Sequence, residues 1–436
     1  MTGLVSSFFE YLKFIDDFFW GYIGFSLLLL SGIFLTFYSK GFQFRVLGNI
    51  CHCIREVRNN RKMSSRGINP IKLYFTSVSG MVGLGNIVGI ITAIMIGGPG
   101  ALFWLWIAAF PSMMVKYSEM YLGIRYRVAN DTGGYDGGPM FYLKKAFKNN
   151  TVPTISCILL CIYGVEVFQF DVVSDTIVNI LGMNHYVVIT LLLFAILYSV
   201  LGGIRRLSSI CSFLMPIFIV VYIGMCIWVI ACYWEMLPNV LKMVFHSAFN
   251  GHAAVGGFAG SSVTLAAQQG ISKAVYSGDI GIGYDSIIQA ETQAVLPEQQ
   301  ARLGIFSLLT DTIICSLSIL VVLVTDLWAV PMEPSLYVAS ALAKFFPHSE
   351  IFMAIFVFIA GFTTIIAFLS VGVKSATYLN KKHGKIIYLV LAVFSFIFFS
   401  FFEQKKALLM MSVSAGLLIL LNISGILRLR KFIRFR

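Results

Sequence analysis

Residues 76–89 read Thr-Ser-Val-Ser-Gly-Met-Val-Gly-Leu-Gly-Asn-Ile-Val-Gly, inside a longer apolar run. Small and polar residues stand here where a helix facing lipid would carry Leu. Glycine lowers the free-energy cost of unwinding a helix and lets a ligand approach the backbone. Unwinding exposes carbonyl groups at one half-helix end, which suit a cation, and N–H groups at the other, which suit a carboxylate. The stretch therefore predicts a broken helix at a binding site.

The composition around this stretch places it in a membrane. The chain has 436 residues, of which 58% are hydrophobic and only 12% are charged, whereas soluble domains carry about 25% charged residues. These values argue against a soluble enzyme, and 15% aromatic residues argue against a disordered chain. Continuous apolar runs such as 217–231 and 351–368 indicate helices rather than the alternating strands of a membrane barrel. We therefore predict an all-α polytopic membrane protein.

About eleven transmembrane helices are predicted, since each crossing needs about 20 apolar residues. The predicted spans are 20–39, 74–96, 101–124, 153–181, 186–201, 208–233, 248–275, 303–325, 350–379, 385–402 and 406–427. A second glycine-rich stretch, 254–262, lies in the seventh span, five spans after the first. Interrupted helices at matching positions of two halves point to the binding site of a secondary transporter. The alternative is that these glycines only allow tight helix packing.

The five-span separation predicts two repeats of opposite orientation. The chain would form a single transmembrane transporter domain, 1–436, in which 1–73 holds an extra N-terminal helix and a basic loop. Spans 2–6 form the first repeat, 74–233, and spans 7–11 form the second, 245–427. The architecture is then a 5+5 inverted repeat with one additional helix.

The basic residues predict the orientation. Of the 32 Lys and Arg residues, 27 fall in alternate loops that start after the first span, and five fall on the opposite side. The positive-inside rule then places the N-terminus outside and the C-terminus in the cytoplasm. The net charge of +12 is mostly explained in this way, so we predict no nucleic-acid partner, although that is the rival interpretation of a basic chain.

Nine motifs spread over nearly the whole chain carry a family resemblance. They lie at 82–89, 97–106, 116–119, 125–127, 137–142, 256–260, 277–283, 311–315 and 362–365. In these motifs the chain resembles the alanine/glycine:cation symporter family, which looks like part of the group with the leucine-transporter fold. The resemblance implies sodium-coupled uptake of a small amino acid by alternating access, in a bacterial inner membrane. It implies a co-transported sodium ion, no organic cofactor and no enzymatic activity.

The resemblance also implies particular site residues. A sodium ion would lie between the second and ninth spans, bound by the oxygen ligands that hard cations favour. The matching sodium ligands are Ser79, Val82, Ala360, Thr363 and Thr364. The residues that match the amino-acid site are Gly83, Gly85, Asn86, Gln169 and Phe258. Without the family, two adjacent Thr residues in a membrane would more simply be helix-packing hydroxyls.

The coupling ion and the substrate stay open. Glu166 lies in the predicted fourth span, where a carboxylate is costly and faces protein or water. It could neutralise a substrate ammonium, bind a second cation or carry a proton, or only hydrogen-bond a neighbouring helix. The chain departs from the family near the expected pocket, at Leu84, Glu166, Asp171, 278–280, Phe368, Ser370 and Val371. These departures weaken an assignment to alanine or glycine alone.

Other readings of the chain are less well supported. Lys116, Glu119 and Asp311 match family residues and are interpreted as structural ion pairs or hydrogen-bonding anchors. A channel would need an evident pore or a ring of subunits, and a membrane enzyme would need a catalytic constellation that the predicted spans lack. A proton-coupled transporter and a substrate sensor remain alternatives. The oligomeric state is not predicted.

Overall fold

The computed structural model describes residues 2–59, 63–251, 262–400 and 404–436. Helices make up nearly all of the regular structure in these residues. One short antiparallel ribbon pairs β1 (Val128–Ala129) with β2 (Tyr135–Asp136). The predicted all-α class is therefore confirmed.

The helices follow one another with short connections. In the first half they are α1 (Thr2–Phe18), α2 (Gly24–Tyr38), α3 (Phe42–Gly48), α4 (Ile50–Asn59), α5 (Pro70–Met81), α6 (Val88–Gly97), α7 (Ala101–Arg125), α8 (Pro139–Phe147), α9 (Thr151–Tyr163), α10 (Val167–Leu181), α11 (His185–Leu201) and α12 (Gly203–Cys232). In the second half they are α13 (Leu237–Asn250), α14 (Val263–Ser277), α15 (Tyr284–Ile288), α16 (Pro297–Val324), α17 (Tyr337–Ala343), α18 (Ser349–Leu379), α19 (Gly384–Phe399) and α20 (Gln404–Leu429). A π-helical segment, Phe19–Ile23, joins α1 to α2.

The order of helices recurs in the two halves. A broken pair, α5 and α6, is followed by the long α7 and the short α8, and the pair α14 and α15 is followed by the long α16 and the short α17. Three further apolar spans complete each half. This recurrence agrees with a 5+5 architecture, whereas the repeat boundaries 74–233 and 245–427 stay a prediction.

Six helices in the described residues are long and apolar enough to cross a membrane. They cover 7–38, 151–178, 203–232, 297–324, 351–379 and 406–432, and the pair α5–α6, bent by 63°, would make a seventh span. Two shorter apolar helices are α11 and α19. The predicted number of eleven spans is therefore not confirmed by length and composition.

Two predicted spans are interrupted in the structure. The fourth, 153–181, corresponds to the candidate span 151–178, but α9 ends at Tyr163 and α10 begins at Val167 within it. The seventh was predicted at 248–275, yet α14 continues to Ser277 and the chain becomes helical again only at Tyr284. In both places a glycine follows the last helical residue, which is a common way for a helix to end.

The first broken helix occupies the centre of the bundle. The Asn69 side chain accepts a hydrogen bond from the Ile71 amide at 2.9 Å, and Pro70 occupies the first helical position, so α5 has a well-defined start. Helices α12, α16 and α18 pack against α5, while α7, α14 and α16 pack against α6. Groups freed by the break are therefore surrounded by protein rather than by lipid.

Candidate functional site

The first break runs from Val82 to Ile87 and is held by one side chain. Asn86 accepts a hydrogen bond from the Gly83 amide at 3.1 Å through its side-chain oxygen. Its amide nitrogen donates to Asp311 at 2.6 Å and to Ser277 at 3.2 Å. Asn86 is completely buried. This predicted substrate ligand thus connects the break to α16, and its side chain is occupied by protein partners.

The predicted sodium ligands lie where α18 meets the end of α5. The Thr364 hydroxyl donates to the Ser79 carbonyl at 3.1 Å, which joins the two helices directly. The neighbouring Thr363 hydroxyl lies 2.8 Å from the carbonyl of Ile359 and 3.1 Å from that of Ala360, within its own helix.

Val82, the first residue after α5, begins the break and is fully buried. The structure therefore brings Ser79 and Thr364 together, whereas the Thr363 hydroxyl bonds along its own helix.

The predicted amino-acid ligands surround the glycines of this break. A methyl group on Gly83 would lie 3.2 Å from the Thr364 hydroxyl and 3.5 Å from the Gln169 side-chain nitrogen. The Gln169 side-chain oxygen is buried and has no hydrogen-bond partner among the described residues. A methyl group on Gly85 would meet nothing within 4 Å. Gly83 and Gln169 therefore lie next to each other, there is open space at Gly85, and Phe258 lies outside the described residues.

A second break, at 278–283 between α14 and α15, faces the first. The stretch 254–262, where a break was predicted, lies almost wholly outside the described residues, and that break stays a prediction. Asp279, Gly281 and Gly283 have φ values of +46°, +76° and +107°. The signal was present in the sequence, because Gly281-Ile-Gly283 repeats the Gly-x-Gly pattern of the first break.

Charged side chains of α7 hold this second break. The Lys116 ammonium donates to the Gly278 carbonyl at 2.6 Å and forms an ion pair with Asp285. A carboxylate oxygen of Glu119 accepts from the Gly281 amide at 2.9 Å. A cation thus meets the carbonyl end of α14 and an anion meets a freed amide, which is the favourable arrangement at helix ends. The interpretation of Lys116 and Glu119 as anchors agrees with this geometry.

Two basic residues that the orientation prediction assigns to loops lie inside the helix bundle. Lys116 is fully buried in α7, and Lys273 lies in α14 with its ammonium 3.7 Å from the Cβ position of Gly89. The orientation stays a prediction that rests on the remaining basic residues.

A third break, missed by the sequence analysis, separates α9 from α10. Glu166 stands there with φ +54° and is only 7% exposed. Its backbone carbonyl accepts from the Phe170 amide at 3.2 Å, while its side chain has no hydrogen bond or ion pair with the described residues. The preceding Tyr163 donates its hydroxyl to Asp279 of the second break at 3.2 Å. The Tyr163 ring packs edge-on against Phe368, with centroids 5.3 Å apart, and Phe368 stacks on Tyr284 at 4.4 Å. The third break therefore adjoins the second.

Broken helices at the centre of a polytopic helical bundle are characteristic of secondary transporters. Solved structures share the fold. MhsT in complex with L-phenylalanine has a TM-score of 0.55 at 14% identity, over 83% of this chain and 89% of that chain. Mhp1, a nucleobase-cation-symport-1 family transporter, has a TM-score of 0.53 at 12% identity, over 79% and 75%. The chain has the leucine-transporter fold.

More specifically, the chain belongs to the sodium:alanine symporter family, whose profile matches residues 6–435. The probable sodium/glutamine symporter GlnT of Bacillus subtilis is 29% identical over 96% of this chain and 87% of its own length. The sodium/alanine symporter AgcS of Methanococcus maripaludis is 28% identical over 86% and 84%. The family is one of transporters rather than enzymes, and the protein is an integral membrane protein of the amino-acid symporter type.

Proposed function

We propose that the protein uses an inward sodium gradient to take up a small amino acid by alternating access. The observation that carries the proposal is the hydrogen bond from the Thr364 hydroxyl to the Ser79 carbonyl, because it gathers two oxygen atoms at the carbonyl end of a broken helix. Relatives named for sodium with alanine or with glutamine support the ion and the substrate class. Rocking of one helix bundle against the other would then alternate access to the site.

Each predicted residue has a role in this proposal. Sodium is bound by the carbonyls of Ser79, Val82 and Ala360 and by the hydroxyls of Thr363 and Thr364. The substrate carboxylate meets the amides that follow the first break, at Gly83 and Gly85, and Gln169 donates to or accepts from the amino acid. Asn86 fixes the shape of the break. Phe258 stays a proposed pocket wall, and Glu166 takes part in coupling.

The proposal is tested with purified protein in liposomes. We expect labelled alanine or a similarly small amino acid to accumulate when a sodium gradient is imposed and not when potassium replaces sodium. Accumulation driven by a pH gradient alone would instead establish the proton-coupled alternative. Downhill flux that does not saturate would contradict a symporter and favour a channel.

Replacement of one proposed ligand tests the sodium site. Thr363→Ala should raise the sodium concentration for half-maximal uptake by about threefold to tenfold, because one oxygen ligand is lost. Thr92→Ala in α6 is the matched control, since its hydroxyl also bonds within its own helix, to Val88 at 2.9 Å. An unchanged sodium curve in Thr363→Ala would remove that residue from the site.

The proposed orientation has the N-terminus outside and the C-terminus in the cytoplasm of a plasma membrane. Single cysteines at Ser7 and Lys431, introduced into a variant without its eight cysteines, would be labelled in intact cells by an impermeant maleimide. Labelling near the N-terminus alone is expected, and the reverse pattern would overturn the orientation.

A further inference from the structure

An apolar groove of about 480 Å³ lies between α9, α18, α19 and α20, and we call it the α19 groove. Val167 and Tyr388 line it and are buried, whereas Ile158, Ile387 and Leu391 line it and are about half exposed. Its walls come from three segments long and apolar enough to cross a membrane and from the apolar α19. The groove therefore opens toward the hydrocarbon of a bilayer rather than toward water.

Two glycines keep the α19 groove open. A methyl group on Gly372 of α18 would collide with the ring and hydroxyl of Tyr388, and one on Gly164 would lie 3.0 Å from that hydroxyl. Because both side chains are absent, the Tyr388 ring reaches inward between α18 and the end of α9. A ring that packed less deeply would project into the groove, so the space depends on these three residues.

One end of the α19 groove is basic. Asn380 lines the groove at this end. Its side chain fixes the turn between α18 and α19, because it accepts hydrogen bonds from the amides of Lys382 at 3.1 Å and of His383 at 3.0 Å. This turn carries three exposed lysines, which we call the lysine turn: Lys381, Lys382 and Lys385.

The protein does not neutralise the lysine turn. Lys374, which precedes it in α18, forms ion pairs with Asp136 at 2.5 Å and with Glu291 at 2.6 Å. The three lysines of the turn form no ion pair within the described residues. Segments 137–165 and 351–402, which include α9, α19 and the groove end of α18, contain no Asp or Glu. The positive charge at the groove is therefore available to an external anion.

We propose that the α19 groove binds a phospholipid with an anionic headgroup. The acyl chain lies along the apolar walls, and the phosphate meets the lysine turn. Basic residues beside a pocket between membrane helices attract anionic lipids. Val165 and Val167 line the groove on either side of Glu166, so the acyl chain covers the third break from the lipid side. This site is separate from the solute and sodium sites of the proposed function.

A second copy of the chain fits the α19 groove less well than a lipid does. Two copies in one membrane have the same orientation, so a two-fold interface through this face would place two lysine turns at the same end. No Asp or Glu of 351–402 is present to separate them. Like charges oppose such a contact, whereas a lipid phosphate compensates the charge of the turn.

Native mass spectrometry of the delipidated full-length protein in detergent tests the site. Dioleoyl-phosphatidylglycerol is anionic, and dioleoyl-phosphatidylcholine has the same acyl chains with a zwitterionic headgroup. We expect the anionic lipid to bind about tenfold more tightly or better, because three lysines near a headgroup each favour an anion. Equal affinities of the two lipids would overturn the proposed headgroup selection.

The charge variant replaces all three residues of the lysine turn with Gln. It should lower the affinity for phosphatidylglycerol about tenfold, to the value for phosphatidylcholine, and should leave phosphatidylcholine binding unchanged. Its control replaces three exposed lysines that do not line the groove, Lys40, Lys72 and Lys431, with Gln. An equal loss in variant and control would show general attraction to a basic surface and would overturn the site.

The groove variant is Ser395→Trp, which places a large ring among the lining residues. It should weaken binding of both lipids about tenfold, because the acyl chain loses apolar contact. Ser26→Trp on α2 is the matched control, since both partly exposed hydroxyls bond the carbonyl four residues earlier, at 2.8 Å for Ser26 and 2.9 Å for Ser395. If Ser395→Trp lowers the melting temperature, Leu391→Trp, at an exposed lining position, takes its place.

Two results with the groove variant would overturn the proposal. Unchanged affinity for both lipids would show that the acyl chain does not lie in the α19 groove. A wild-type dimer in the delipidated sample that the groove variant dissociates would make a second copy of the chain the occupant instead.

Discussion

The two facing breaks, at Val82–Ile87 and at 278–283, are each stabilised by side chains of a different kind. The first is held by a neutral amide, Asn86, which satisfies the Gly83 amide and is itself fixed by Asp311. The second is held by full charges, since Lys116 and Glu119 meet its carbonyl and amide groups. A break whose ends already meet charged side chains has less to offer a charged ligand. The difference favours the first break as the binding element and the second as a support.

Each break is also stabilised by a helix from the other half of the chain. Helix α16, which follows the second break, braces the first break through Asp311. Helix α7, which follows the first break, braces the second through Lys116. The two breaks therefore depend on contacts between both halves of the chain. Substitutions of the side chains that stabilise them should show which contacts are needed for folding stability and which are needed for transport.

The largest expected effect is on stability and comes from Lys116. Lys116→Met should lower the free energy of unfolding by about 3–5 kcal/mol, because it leaves Asp285 buried without its counter-ion. Thermal unfolding of the purified protein in detergent measures the change. The double variant Lys116→Met/Asp285→Asn should recover part of the loss, and a loss below about 1 kcal/mol would contradict the assigned role.

The next effect should fall more heavily on transport. Asn86→Ala should cost about 1–3 kcal/mol of stability, because Gly83 and Asp311 each lose a buried hydrogen-bond partner, and it should abolish sodium-driven uptake. Asn49→Ala is the control, since that exposed side chain bonds only the nearby Arg45 carbonyl, at 2.9 Å. Uptake that survives in Asn86→Ala would show that the first break does not depend on this residue.

A smaller change is expected at the junction of α18 with the first break. Thr364→Ala should raise the sodium concentration for half-maximal uptake about tenfold, equivalent to about 1.4 kcal/mol, while the melting temperature stays nearly the same. Thr377→Ala, on the same helix, removes a hydroxyl that bonds the Val373 carbonyl at 2.7 Å and should leave the sodium curve unchanged. Equal effects of the two variants would refute a special role for Thr364.

The smallest expected effect concerns the third break, which is held neither by an amide nor by an ion pair. Asn tolerates a positive φ better than Glu does, so Glu166→Asn should raise the free energy of unfolding by about 0.5–1 kcal/mol while it impairs uptake. Glu166→Ala removes the same charge without improving the backbone fit. If both variants melt at the same temperature, the φ of +54° contributes no measurable strain.

Much of the fold could be predicted from the sequence because glycine patterns and apolar runs are local signals. Residues 76–89 alone indicated a break, and the structure has one at Val82–Ile87. The break predicted at 254–262 lies outside the described residues and stays a prediction. The described break at 278–283 has a local signal of its own, since Gly281 and Gly283 share the Gly-x-Gly pattern of the first break.

The site was less predictable because its contacts join distant parts of the chain. Family resemblance alone indicated Ser79 and Thr364 as site residues. Only the structure shows that the Asn86 side chain donates a hydrogen bond to Asp311, 225 residues away. The break at Glu166 had no strong sequence signal beyond the single Gly164, since it lies within a continuous apolar run that is long enough for one span. Tertiary packing decided the backbone there.

Because each break is stabilised by the other half of the chain, the two breaks can be completed only late in synthesis. Asn86 enters the membrane long before Asp311 is made, and at 5–20 residues per second the wait is on the order of 10–45 s. Until then the first half carries polar groups that it cannot satisfy by itself. The core is thus assembled late, when the two halves dock, and a defect in one half leaves the other open to the proteases that survey membrane proteins.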